Sequence, residues 1–120
     1  MAKNYIQPGE VIDYTAGANI TSGSVVAMGN ILGVALADIA SGSVGPVQIT
    51  GVFEVPKVSA AVIGVGQSLT WDVSAGAFDD NLATPAAGDI TGAAAVAFEA
   101  GINTQTTLKV KFTGVPGTKT

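Results

Sequence analysis

The sequence predicts an all-β fold, a small β-barrel or β-sandwich of about eight short strands with an extended N-terminal arm. Three observations predict it. Runs rich in Val and Ile are separated by turn residues at intervals of about ten positions. Two such runs lie within Ile31 to Lys57, joined by a Gly/Ser/Pro-punctuated turn, which is a hairpin signal. The third is an echo in the order of motifs. Ile20-x-x-Gly23 returns as Ile63-x-x-Gly66, Gly33-Val-Ala35 as Gly92-Ala-Ala94, and Val47-Gln-Ile-Thr-Gly51-Val52 as Val110-Lys-Phe-Thr-Gly114-Val115. The order is the same each time, so two similar β units are expected, at about 20–56 and 63–113. The spacing of matching residues grows from 43 at Gly23/Gly66 to 59 at Gly33/Gly92, which places an insertion between Trp71 and Ile90.

Residues 1–9 read as an extended arm. Pro8-Gly9 punctuates its end, and Gln7 is biased towards extended backbone by the proline that follows. Tyr5 and Ile6 are apolar cargo on this polar arm; a frayed end and a tether lying on a partner both fit. Glu10 to Ala16 alternates as a first strand, with a turn at Gly17-Ala-Asn19. Ser24 to Met28 is a short strand followed by the hairpin signal Gly29-Asn30. Ile31 to Ala37 follows, with Leu32, Val34 and Leu36 on one face, and Ser41 to Pro46 breaks it. Val47 to Val55 is the longest strand expected; Gly51 inside it marks a bulge or a close backbone approach, and Pro56 ends it.

Lys57 to Gly64 is ambiguous, a helical turn being one option, though it is short and β-branched. Gln67 to Val73 is a strand with Leu69 and Trp71 on one face, and Ser74 to Asp89 a long polar excursion. Ile90 to Ala100 carries both signals. Asp89 would cap a helix and Gly101 would stop one, but Ala94, Val96 and Phe98 alternate with Ala95, Ala97 and Glu99. The alternation and the repeat assign it as strand. Thr106 to Thr113 is the last strand, burying Leu108, Val110 and Phe112, and residues 114–120 are a loose tail. The 120 residues are one domain by length, with the β body over residues 10–113.

Composition narrows the function classes. Apolar residues make up 48% of the chain but charged ones only 12%, against about 25% in an ordinary soluble domain, so much of the surface is expected to touch something. The net charge is −4, Arg is absent, and Lys3, Lys57, Lys109, Lys111 and Lys119 are scattered. A nucleic-acid footprint needs clustered cations. Lys109 and Lys111 share one strand face, the pattern of a solvated face or a guarded edge, so no nucleic-acid partner is expected. The longest apolar run, Ala93 to Phe98, is too short for a membrane helix, and the first residues lack a secretory apolar core. Synthesis in the producing cell's cytoplasm is the expectation.

There is no His and no Cys. With Arg absent too, most nucleophile–base pairs and anion clamps are ruled out, as are disulfides and thiolate metal sites. No Ser-x-x-Lys occurs; Ser59 after Lys57 reads as the start of a turn. Gly114-Val-Pro-Gly117-Thr-Lys119 has the wrong spacing for a phosphate loop, and Gly64-Val-Gly66 lacks a third Gly. Asp72, Asp79, Asp80 and Asp89, with Asn81, offer oxygen ligands for Ca²⁺, but Asx residues in loops are usually turn-formers. Trp71 at strand periodicity reads as core, with a subunit contact as the other option. No catalytic, cofactor or metal residue is expected, and the protein is not expected to be an enzyme.

Gly33-Val-Ala35, Gly51-Val-Phe53-Glu-Val-Pro56-Lys57 and Gly66-x-x-Leu69-x-Trp71-Asp72 together resemble a family of small phage proteins, once of unknown function and sometimes labelled a phage recombinase. That family is better viewed as capsid decoration, or cement, proteins. The resemblance runs from about Glu10 to Thr113 and departs from the family pattern at Gly92-Ala-Ala94. The recombinase label does not survive the residues, which supply neither an ATP loop nor a basic DNA path. The resemblance implies a structural virion protein that binds the outer face of the phage head and stabilises the major capsid protein lattice, as a homotrimer at local symmetry axes. Lys3, Asn4, Tyr5 and Ile6 of the arm are the expected capsid contacts. The other reading is a different virion β module: a fibre, tail or host-surface adhesion component.

Overall fold

The computed structural model describes residues 3–4, 9–81 and 84–120. Among them the chain forms eleven strands and no helix, in three antiparallel sheets. The all-β class therefore stands, with more and shorter strands than the sequence predicts.

The first sheet contains β1 (Val11–Thr15), β2 (Val25–Met28), β3 (Ile31–Ala35) and β4 (Val44–Gln48), in the order β1-β4-β3-β2. Gly29, at φ 60°, turns β2 into β3. The expected hairpin forms between β3 and β4, with Val34 opposite Gln48 and Ala35 opposite Val47. Its second arm starts earlier than expected, at Val44, so Pro46 lies inside a strand. The Leu36 N–H donates to the Pro46 carbonyl at 3.1 Å, one residue past the end of β3. The return bond that proline cannot make thus falls where this ladder stops. Leu36 itself, expected on one face with the buried Leu32 and Val34, is 42% exposed.

The second sheet contains β5 (Thr50–Pro56), β9 (Ala95–Ala97) and β10 (Thr107–Thr113), in the order β5-β10-β9. The single strand expected over Val47 to Val55 is thus split. The chain leaves the first sheet at Gln48 and enters the second at Thr50. Gly51 makes the crossing possible. Its φ is 121°, and a Cβ there would lie 2.9 Å from Gln48 Nε2.

The third sheet contains β6 (Thr70–Asp72), β7 (Ala77–Asp79), β8 (Ile90–Thr91) and β11 (Thr118–Lys119), in the order β11-β8-β6-β7. Two of these correct the sequence reading. β7 lies within the expected polar excursion, where Phe78 is fully buried. β11 lies in the expected loose tail, which is also held by a Gly117 N–H bond to the Asn30 carbonyl at 2.8 Å. Ile90 to Ala100 is strand rather than helix, but divided between β8 and β9, with Gly92 at φ 93° between them. Ala94 and Ala95 are both buried, so strict alternation fails at the change of sheet.

One bonding pattern occurs twice. Ile20 and Ile39 exchange backbone hydrogen bonds, and so do Ile63 and Gly101. Gly23 N–H donates to Ala35 O as Gly66 N–H donates to Ala97 O, each at 2.8 Å. Gly42 N–H donates to Ala16 O as Thr104 N–H donates to Ser59 O. Val25 faces Val34 as Ser68 faces Val96. In this pattern Ala97, not Ala94, takes the place of Ala35.

The larger apolar cluster is built around Leu32, Val55, Leu69, Phe78, Leu108 and Phe112. The smaller joins Ala16, Val26, Ala35, Ile39 and Val47. In β10, Leu108, Val110 and Phe112 are fully buried while Lys109 and Lys111 face out, as the alternation requires. Each fully buried aliphatic or aromatic side chain contributes about 1.5–3 kcal/mol of transfer free energy. Phe78 packs on Trp71 at 4.9 Å and on Phe112 at 5.9 Å, which ties the third sheet to the second.

Candidate functional site

Of the expected contact residues, Lys3 and Asn4 lie exposed in a turn. Tyr5 and Ile6 lie outside the described residues.

The acidic residues of the insertion serve turns. Asp72 accepts bonds from the Ser74 hydroxyl at 2.7 Å and from the Ser74 and Ala75 amides at 3.1 Å each. The Ser74 hydroxyl and the Ala75 amide, with a further part from the Ser74 amide, hold its carboxyl below the usual Asp range, against the opposing effect of burial. The buried Asp89 carboxylate accepts from the Val73 and Ala86 amides. Asp79 accepts from the Asp80 amide, and Asn81 from the Gln67 side chain. Among the described residues no three His, Cys, Asp or Glu side chains are grouped to hold a metal ion.

Lys57 is the polar residue whose burial the sequence reasoning did not foresee. It follows Pro56, and only 3% of it is exposed. Its ammonium lies 2.8–3.2 Å from the carbonyl oxygens of Val58, Ser59, Ile102 and Gln105. Burial pushes its pKa below the ordinary 10.5, and the Asp79 carboxylate opposes that shift. Enclosed by carbonyls, this cation joins the loop after β5 to the loop before β10. Trp71, 8% exposed against Phe78, is a core residue. It also floors an open hollow of about 420 Å³ lined by Ser22, Gly23, Ser24, Val25, Pro56 and Gly76, none of which titrates.

The described surface also carries large apolar side chains. Val44, Val62, Val65, Phe98 and Ile102 are each more than half exposed. The last four flank the antiparallel bridge between Ile63 and Gly101, which sets Val62 across from Ile102. Sequence reasoning did not single them out, because alternation shows which residues share a face and not which face is covered. No helix among the described residues is long and apolar enough to cross a membrane.

Fold and surface define a class: an all-β body whose buried amine and insertion carboxylates serve its own loops and whose surface carries several exposed large apolar side chains. Residues 6–112 match the model of a family described as phage cement protein, and the chain belongs to that structural family. No curated protein matches it significantly.

Proposed function

We propose that the protein binds the outer surface of a phage head and stabilises the lattice of its major capsid protein. The observation that carries this reading is the family match, which spans nearly the whole described β body. The sparse charge and the outward apolar side chains support it, since such a surface suits burial against other proteins. Bound copies bridging neighbouring subunits favour the assembled lattice by mass action, each by about 2.7 kcal/mol at a hundredfold excess over Kd. Contacts from several copies held together multiply that effect, which suits assembly as a trimer. The arm residues Lys3, Asn4, Tyr5 and Ile6 add a tether to the capsid.

The test compares heads assembled with and without the protein. Cement activity raises the temperature at which heads release their DNA, and imaging of the particle finds many copies on the head. A few copies at the tail alone would overturn the proposal. Removing residues 2–8 lowers occupancy on heads if the arm is a contact; unchanged occupancy sinks that part.

A further inference from the structure

We propose that the hollow floored by Trp71 is a binding site for a neutral saccharide of one or two rings. Such a site is independent of the capsid-binding reading above.

The hollow lies where the three sheets meet. Ser22, Gly23 and Ser24 line it from the turn before β2, and Val25 from the first residue of that strand. Pro56 lines it from the end of β5, Trp71 from β6, and Gly76 from the turn between β6 and β7. Gly23 and Gly76 leave those parts of the lining without side chains. The volume of about 420 Å³ lies in the range of small-molecule sites, about 300–1,000 Å³.

The polar groups around it are unpaired. Trp71 is more than nine-tenths buried, at 8% exposed. Among the described residues its indole N–H has no hydrogen-bond partner. No buried side-chain polar atom is left unsatisfied among them, so this N–H reaches solvent, and the hollow is the opening beside it. The Ser22 and Ser24 hydroxyls likewise have no protein partner among the described residues; Ser22 bonds Asp38 through its amide, and Ser24 bonds Thr21 through its own. One N–H donor and two hydroxyls, each able to donate and accept, thus border one space.

The lining selects the chemistry of the ligand. No residue around the hollow is ionisable, and the carboxylate of the neighbouring Asp72 is taken up by the turn at Ser74 and Ala75. A charged ligand would lose water there and gain no counter-charge. A purely apolar one would strip water from the indole N–H and the hydroxyls and leave them unpaired. A sugar ring offers both kinds of contact: hydroxyls for the three polar groups, and C–H surface for Val25 and Pro56.

A proline-rich peptide fits less well. It docks on open aromatic surface, whereas Phe78 packs on Trp71 at 4.9 Å and little of the indole is open. The same cover prevents a sugar from stacking on the ring. Binding then rests on hydrogen bonds between neutral groups, and a Kd on the order of 1 mM is expected.

Trp71 is the sole tryptophan of the chain, so its fluorescence reads the hollow directly. The test titrates the full chain with glucose, galactose, N-acetylglucosamine and maltose, and with glucuronate and a proline-rich peptide as contrasts. At least one neutral sugar is expected to shift the emission saturably, with glucuronate at least tenfold weaker. Ser22→Ala combined with Ser24→Ala keeps the melting temperature and weakens that sugar at least tenfold. Trp71→Phe, followed by amide NMR shifts at Gly23 and Gly76, weakens it similarly; where that variant unfolds, the serine variant decides alone. No saturable shift with any neutral sugar overturns the proposal. So does parent-like affinity in the serine variant, glucuronate binding as tightly as the neutral sugars, or saturation by the peptide alone.

Discussion

Thr104 stands in the second sheet's loop where Gly42 stands in the first, and both hold left-handed backbone, at φ 77° and 83°. Glycine adopts that conformation freely, whereas a β-branched residue is strained there. Thr104→Gly is expected to stabilise the protein by about 1 kcal/mol, net of the added freedom of the unfolded chain. Gly42→Thr is expected to cost about as much. No neighbour lies near a Cβ at Gly42, so the penalty there is backbone strain alone. Thermal melts should show opposite shifts of about 4 °C.

Lys57→Met removes the cation from four carbonyls that have been taken out of water. A loss of about 3 kcal/mol in urea unfolding is expected. The pH dependence has a definite sign. Burial lowers the folded-state pKa below 10.5, so in the window beneath 10.5 the unfolded chain binds more protons. The full cost of burying the charge is present below the folded-state pKa. Stability relative to Lys57→Met therefore rises with pH through that window and levels off above it. A flat or falling difference would count against a buried, charged Lys57.

Gly33 is needed for space. A Cβ there would lie 2.7 Å from Val47 Cγ1 and 2.8 Å from the Gln48 carbonyl oxygen, and the backbone oxygen cannot swing away. Gly33→Ala is expected to destabilise by about 2 kcal/mol, seen as an earlier urea midpoint.

At the C-terminal end, a Cβ on Gly117 would lie 2.5 Å from the Thr91 carbonyl oxygen and 2.7 Å from Ile90 Cγ2. Gly117→Ala should displace β11 and cost about 1–3 kcal/mol. Amide exchange at Gly88 and Thr120, whose bonds close this edge, should speed up more than at β10. Unchanged protection there would mean that the tail contributes nothing.

What was legible in the sequence was whatever repeats with period two or breaks it with glycine. β10 was read residue by residue, because Leu108, Val110 and Phe112 alternate cleanly with exposed neighbours. The hairpin turn at Gly29 and the special backbone at Gly51 were legible for the same reason. β7 was not, since a buried Phe78 among turn-formers gives too short a pattern. The change of sheet after Gln48 was hidden because apolar alternation continues across it, and only long-range pairing separates the two halves. On the surface, Val62 and Ile102 were not legible, because they look like core until the bridge at Ile63 shows which way they face.

The passage of one chain from β4 into β5 has a mechanical consequence. Gln48 is paired in the first sheet and Thr50 in the second, with a single residue between them. Tension applied to either sheet is delivered straight to the ladder of the other, with no slack linker to absorb it. In the capsid role proposed above, the protein would act as a stiff clamp whose two ladders share the load.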